Sequence, residues 1–216
     1  MVILNFKTYA EATGENVVKL IDAVSTSTMK DKVIVAPSIL DLSAAKKAFP
    51  GVEMMSQHID NKTPGSTTGW TTPENLIAHK ITYSLYNHSE HRVWSDTIVE
   101  DIKAIQAKGI KLIVCCENVE EATKLLEASP FGIAYEPKDL IGSGISVTTR
   151  LDAVKGFIEA TKGKTMIFVG AGVSTGEDVT KSLELGAEGV LLASAYVKAE
   201  DHSAKLNELT APFQGL

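Results

Sequence analysis

Short apolar, β-branched runs recur along this chain at intervals of about one helix, and no other feature limits its fold as tightly. They are Val2–Phe6, Val33–Ala36, Val52–Ser56, Ile81–Leu85, Ile110–Cys115, Phe131–Tyr135, Thr165–Val169 and Glu188–Leu192. Most are near-continuous rather than alternating, as expected of parallel strands covered on both faces. The segments between them carry a single apolar stripe. Val17, Leu20, Ile21 and Val24 share one helical face, and so do Ile98, Ile102 and Ile105. Thr72-Pro73-Glu74 reads as an N-cap followed by proline at the first helical position. Ser174 and Glu177 read as a capping box, and Gly109, Gly163 and Gly186 stand where helices should stop. Eight strand–helix units without a domain-sized remainder predict an α/β chain folded as one closed (β/α)8 barrel, residues 1–216. An open doubly wound sheet is the rival. It would use fewer strands and carry glycines in its first turn, where this chain has Asn5-Phe6-Lys7-Thr8-Tyr9.

Charge and cysteine usage narrow the partners. The net charge is −6, with acids and bases interleaved, so no basic stripe exists to neutralise a nucleic acid. A small anion remains compatible, because a local site can be positive on an acidic protein. No apolar run approaches the length of a membrane span, and the N-terminal run lacks the charged start of a signal peptide. Cys115 and Cys116 are adjacent, hence on opposite strand faces, and make poor disulfide partners or joint metal ligands. They read as reduced packing residues of a cytoplasmic protein. Scattered histidines without ligand spacing argue against a metal site.

In such a barrel the chemistry belongs to the C-terminal strand ends and the loops after them. Glu136 stands just past the sixth run, followed by Pro137, the apolar pair Leu140-Ile141, and Gly142 and Gly144. That is the layout of a general base under a closing lid, although taken alone the stretch reads more simply as a plain loop with a solvated glutamate, and it is the other motifs that favour the base. Asn5 and Lys7 follow the first run on a common face, with Lys7 suited to an anion or a developing oxyanion, or else an ordinary surface lysine. His88 follows the fourth run, before a helix expected to start near Arg92. A helix N-terminus would disfavour imidazolium and leave a neutral ring able to donate to a carbonyl; a capping histidine is the plainer alternative. Glu90 reads as a buried partner, and His58, His79 and His202 as structural or solvated. After the seventh and eighth runs come Gly170-Ala171-Gly172-Val173-Ser174-Thr175-Gly176 and Ala193-Ser194, small residues that let amides approach a phosphate. The longest irregular stretch, 58–72, reads as functional or as an interface.

Together these pieces resemble the triosephosphate isomerase family, in its short archaeal-type form, over essentially the whole chain. The resemblance rests on Asn5-Phe6-Lys7-Thr8-Tyr9, Gln57-His58-Ile59-Asp60, Pro64-Gly65-Ser66-Thr67-Thr68-Gly69, Asn87-His88-Ser89-Glu90, Tyr135-Glu136-Pro137, Gly170 to Asp178 and Gly189 to Ser194. It implies a TIM barrel that interconverts dihydroxyacetone phosphate and glyceraldehyde 3-phosphate without a cofactor. It implies Glu136 as the base, His88 as the neutral electrophile and Lys7 as the cation that stabilises the enediolate. Asn5, Phe6, Lys7, Ile141, Gly172, Ala193 and Ser194 would bind substrate. It further implies a homodimer through loop 58–72, with Thr68 reaching the partner and a homotetramer as the other assembly in the family. Three positions depart from the family pattern: Trp70, His91 where arginine or asparagine is expected, and Lys138. The residue-level alternatives are an aldolase, for which the one strand lysine is Lys111, and a non-catalytic phosphosugar-binding barrel.

Overall fold

Eight strands pair in parallel and in chain order, and the eighth pairs back onto the first to close a barrel. The computed structural model describes residues 1–137 and 150–215. The strands are β1 Val2–Asn5, β2 Val33–Ala36, β3 Glu53–Ser56, β4 Tyr83–Tyr86, β5 Lys111–Cys116, β6 Gly132–Tyr135, β7 Met166–Val169 and β8 Gly189–Leu192. The α-helices among the described residues are α1 Asn16–Ser25, α2 Ile39–Ala48, α3 Pro73–Ala78, α4 Ile98–Ala107, α5 Val119–Leu125, α6 Leu151–Thr161, α7 Gly176–Glu184, α8 Ser194–Val197 and α9 His202–Thr210. None is long and apolar enough to cross a membrane.

Continuous apolar runs suit this closure because both strand faces are buried. Ile3, Ile34, Met55, Leu85, Ile113, Cys115 and Phe168 fill the barrel interior. Their neighbours Leu4, Val35, Met54, Leu112, Val114 and Cys116 face the helices in a second, larger cluster. The alternation separates the two buried, free cysteines onto opposite faces. Val17, Leu20, Ile21 and Val24 of α1 are buried, as are Ile98, Ile102 and Ile105 of α4.

The local punctuation follows the chain closely. Thr72 accepts the Asn75 amide at 3.3 Å and Pro73 opens α3. Gly109, Gly163 and Gly186 carry φ of +94°, +72° and +106° at helix ends, a region that penalises residues with a Cβ. The capping box of α7 lies one residue later than expected: Thr175 caps, and Asp178 answers it. Extended Thr175 lets Asp178 Oδ2 collect the amides and hydroxyls of both Ser174 and Thr175. β4 begins at Tyr83 rather than Ile81, because pairing with β3 starts at Met55 opposite Tyr83. Ile81 still packs into the outer cluster.

One interior side chain sets a steric condition on its neighbours. A Cβ at Gly132 would lie 2.8 Å from the Phe168 ring. A Cβ at Gly189 would lie 2.6 Å from the same ring and 2.5 Å from the Met1 carbonyl oxygen. The ring occupies the space that side chains of β6 and β8 would otherwise take. Gly189→Ala should therefore destabilise the chain by about 1–3 kcal/mol, the usual range for overpacking. Chemical denaturation measures this, and an unchanged midpoint would contradict the packing described.

Candidate active site

The end of β1 is held in an uncommon backbone conformation. Lys7 has φ of +48°, a left-handed value that a residue with a Cβ rarely adopts. Three hydrogen bonds impose it. The nearly buried Asn5 accepts the Lys7 amide at 3.0 Å, and Gln57 Nε2 donates to the carbonyls of Lys7 and Ala36, both at 2.9 Å. The Lys7 ammonium donates to Glu90 Oε1 at 2.8 Å. Glu90 is thus a partner, as its position suggested, but its side chain is 53% exposed rather than buried. Phe6 does not join this group. Its ring is fully buried and stacks on Tyr196 at 6.2 Å, bracing the strand end from the helix side.

The end of β4 presents a histidine in a defined tautomer. Asn87, fully buried with φ of +59°, donates to the Cys115 carbonyl at 3.0 Å and accepts the Val93 amide at 3.1 Å. Those bonds anchor a turn over residues 88–91, closed by the His91 amide on the His88 carbonyl at 2.8 Å. Inside it the Glu90 amide donates to His88 Nδ1 at 3.2 Å. A ring nitrogen that accepts an N–H carries a lone pair, so the imidazole proton resides on Nε2. The helix expected from Arg92 begins only at Ile98. Arg92 is instead forked onto Glu121 at 2.6 and 3.0 Å, and the Val93 amide donates back to Asn87. The neutral ring is set by one backbone amide, not by a helix dipole.

Glu136 faces that ring. It is 5% exposed, and its Oε2 lies 3.4 Å from His88 Nε2. The contact is close but falls short of a hydrogen bond, and Oε2 has no other partner among the described residues. An unsatisfied buried carboxylate oxygen is costly and marks a position waiting for a donor. The walls around it are tight. A Cβ at Gly170 would come within 2.7 Å of Glu136 Cγ and 2.8 Å of Oε1. The Cys115 thiol faces the carboxylate; burial, then the Glu136 charge, pushes that thiol well above its usual range. It therefore stays protonated beside Glu136.

The loops after β7 and β8 follow round the same mouth, since β7 pairs with β8 and β8 with β1. Ala171 and Gly172 both have positive φ, at +66° and +70°. Ala193 leaves β8 and Ser194 opens α8. At the head of α7 the Gly176 amide donates to Glu208 and the Asp178 amide to the Thr175 hydroxyl, while the Asp178 carboxylate takes the loop amides of Ser174 and Thr175, so an anion here would meet the loop before Ser174. Lid residues 138–145, including Ile141, lie outside the described residues.

Between the ends of β1 and β4, the start of α2 and loop 57–72 lies a cavity of about 970 Å³, lined among others by Asn5, Lys7, Gln57, Trp70, His88 and Glu90; Glu136, Gly172, Ala193 and Ser194 are not among its lining residues. The loop is pinched at its neck, where the Asp60 and Thr71 backbones and the Asp60 carboxylate meet in two bonds of 2.8 Å. Among the described residues no group of three His, Cys, Asp or Glu side chains is arranged to hold a metal. Sequence reasoning gave Asn87, Gln57 and Cys115 no role in the site, and gave Gly170 only a place in a turn for a phosphate. Asn87 alone carries a signal, a polar residue ending an apolar strand; the others act through contacts far apart in the chain. The arrangement can take a proton with Glu136 while donating one from His88 Nε2, beside a lysine.

Comparison with known proteins agrees with this layout. The sequence profile of the family described as Triosephosphate isomerase matches residues 1–209. Triosephosphate isomerase of Thermoplasma volcanium is 40% identical over 96% of this chain and 98% of its own length. The enzyme of Methanothermus fervidus is 39% identical over 97% of this chain and 96% of its own. That of Methanobrevibacter smithii is 37% identical over 98% and 97%. The chain belongs to the triosephosphate isomerase family.

Proposed function

We propose that this chain, acting as a single domain over residues 1–216, interconverts dihydroxyacetone phosphate and D-glyceraldehyde 3-phosphate. The observation that carries the mechanism is the face-to-face placement of a Glu136 oxygen, without a partner among the described residues, and a His88 ring whose proton sits on Nε2. Glu136 removes a proton from the carbon beside the substrate carbonyl. His88 donates from Nε2 to the carbonyl oxygen, and Lys7 balances the charge that develops on the enediolate. Returning the proton to the neighbouring carbon completes an aldose–ketose exchange. Substrate and product have the same oxidation level, so the step needs no cofactor.

The phosphate is held by the amides of Gly172, Ala193 and Ser194, and the family resemblance adds Ile141 to that grip. Asn5 fixes the start of the Lys7 turn and thereby the ammonium. Excluding water strengthens each of these interactions and keeps the phosphate on the intermediate. The protein works in the cytoplasm, in keeping with two buried, free cysteines.

The working unit is a homodimer built through loop 58–72. An apolar rim supports this: Leu40 is 90% exposed, Ile39 50% and Trp70 47%, all lining the cavity mouth. Such a rim beside a polar cavity marks a surface to be covered. Sedimentation should show no stable monomer at micromolar concentration; an active monomer would contradict the assignment of this loop.

Two substitutions test the chemistry. Glu136→Gln should lower kcat by at least about a hundredfold with the thermal midpoint retained, as loss of a general base does. An unchanged rate would remove Glu136 from the reaction. Gly170→Ala places a methyl group against the same carboxylate. It should lower kcat by about tenfold or more while sparing KM, since small displacements of a catalytic group are costly. Equal effects on kcat and on affinity for a phosphate-bearing analogue would show that Gly170 serves binding instead.

A further inference from the structure

Two imidazoles stack face to face beside the catalytic turn. The rings of His58 and His91 have centroids 3.8 Å apart and planes 18° from parallel. His58 Nε2 lies 3.0 Å from Asp60 Oδ1, and the other Asp60 oxygen holds the Thr71 amide at 2.8 Å. His58 is thereby tied to the neck of loop 57–72. His91 has one face on that anchored ring and its amide on the His88 carbonyl. The stack joins the loop after β3 to the turn that delivers the Glu90 amide to His88 Nδ1.

We propose that His91 is a positioning residue for the isomerisation proposed above: stacked on His58 it braces the turn that aims His88, and a proton added to it releases the brace. The inference rests on that reading of His88. The groups facing the stack give it a direction. From the loop after β3 come His58 and Asp60; from β4, the buried Tyr86 ring, stacked on His58 at 6.3 Å. From the turn come His88 and Glu90, the latter engaged by Lys7. Arg92 is committed to Glu121 and Glu117, and Asp101 of α4 holds Asn61. Among the described residues Asp60 is the one acid bonded to the stack, and it is bonded to His58, not to His91.

A charge on His91 therefore meets a second imidazole across van der Waals distance, with the catalytic histidine next to it. Partial desolvation of this largely exposed ring, then His58, lowers the His91 pKa below its usual 6.5, with His88 adding to the effect and Asp60 opposing it. The folded state binds this proton more weakly than an unfolded chain. The brace is complete above that usual value and is lost as pH falls through the folded-state value.

The test follows kcat from about pH 8 to about pH 5.5 in the wild type, His91→Phe and His91→Asn. Phenylalanine keeps a flat ring on His58 and takes no proton. The expected result is a rate near pH 8 within about twofold of wild type, and an acid decline at least about fivefold smaller. Asparagine removes both brace and proton. It should lower kcat near pH 8 with KM unchanged and likewise blunt the acid decline, which keeps the test decisive where the phenylalanine variant folds poorly. An acid limb shared by all three proteins overturns the proposal. Nitrogen-labelled histidine gives a readout independent of activity: the His88 Nδ1 and Nε2 signals should shift with the His91 titration in the wild type and not in His91→Phe. His88 signals indifferent to that titration also overturn it. Coupled titration in a protein without isomerase activity at any pH would sink the isomerase reading and leave the brace standing. Activity without coupling would do the reverse.

Discussion

A closed parallel barrel buries both faces of every strand, and that constraint governs the rest of this molecule. Apolar side chains fill the interior and the helix-facing layer alike. Polar atoms on the strands themselves would be stranded without partners, which costs about 1–3 kcal/mol each. Chemistry is left with the strand ends, where the backbone leaves the sheet and side chains can reach both neighbours and solvent. Asn5, Asn87, His88 and Glu136 all occur there, and all are buried. Asn5, Asn87 and His88 each bond a neighbouring backbone group, whereas one Glu136 oxygen has no partner among the described residues.

Backbone strain occurs at the same rim, as it does at Lys80 and Ser129 before β4 and β6. Lys7, Asn87 and Ala171 follow β1, β4 and β7, and each carries a positive φ despite having a Cβ. Such conformations cost on the order of 1 kcal/mol or more and persist only where surrounding bonds over-determine them. At Lys7 the bonds come from Asn5 and Gln57; at Asn87 they come from its own side chain reaching β5 and Val93. The strain turns the chain sharply enough to bring a lysine from one strand end and a histidine from another over a single cavity. Stability contributed by the apolar layers is spent on orienting a few polar groups.

Much of this was legible in the residues because barrel strands and helix stops are local signals. Continuous apolar runs marked eight strands to within two residues at either end, and three glycines marked helix ends. Where two neighbouring residues offered the same signal, locality failed. Ser174 and Thr175 can both cap, Glu177 and Asp178 can both answer, and only the extended Thr175 backbone decides between them. The late start of α4 was hidden for another reason. Arg92 is held by Glu121, twenty-nine residues on, so nothing in its own neighbourhood predicts that the helix waits until Ile98. The same holds for Gly170 against Glu136 and for His58 against His91, pairs brought together by the closed barrel.

The Asp178 carboxylate at the head of α7 gathers two amides and two hydroxyls from Ser174 and Thr175. That internal anion does for the loop after β7 what an arriving ligand does in less organised sites: it sets the loop's shape beforehand. The ordering entropy of this segment, about 1–2 kcal/mol per residue, is charged to folding instead of to binding. One side of the barrel mouth is thus a stiff, pre-cast surface, and a ligand meeting it fits a finished mould.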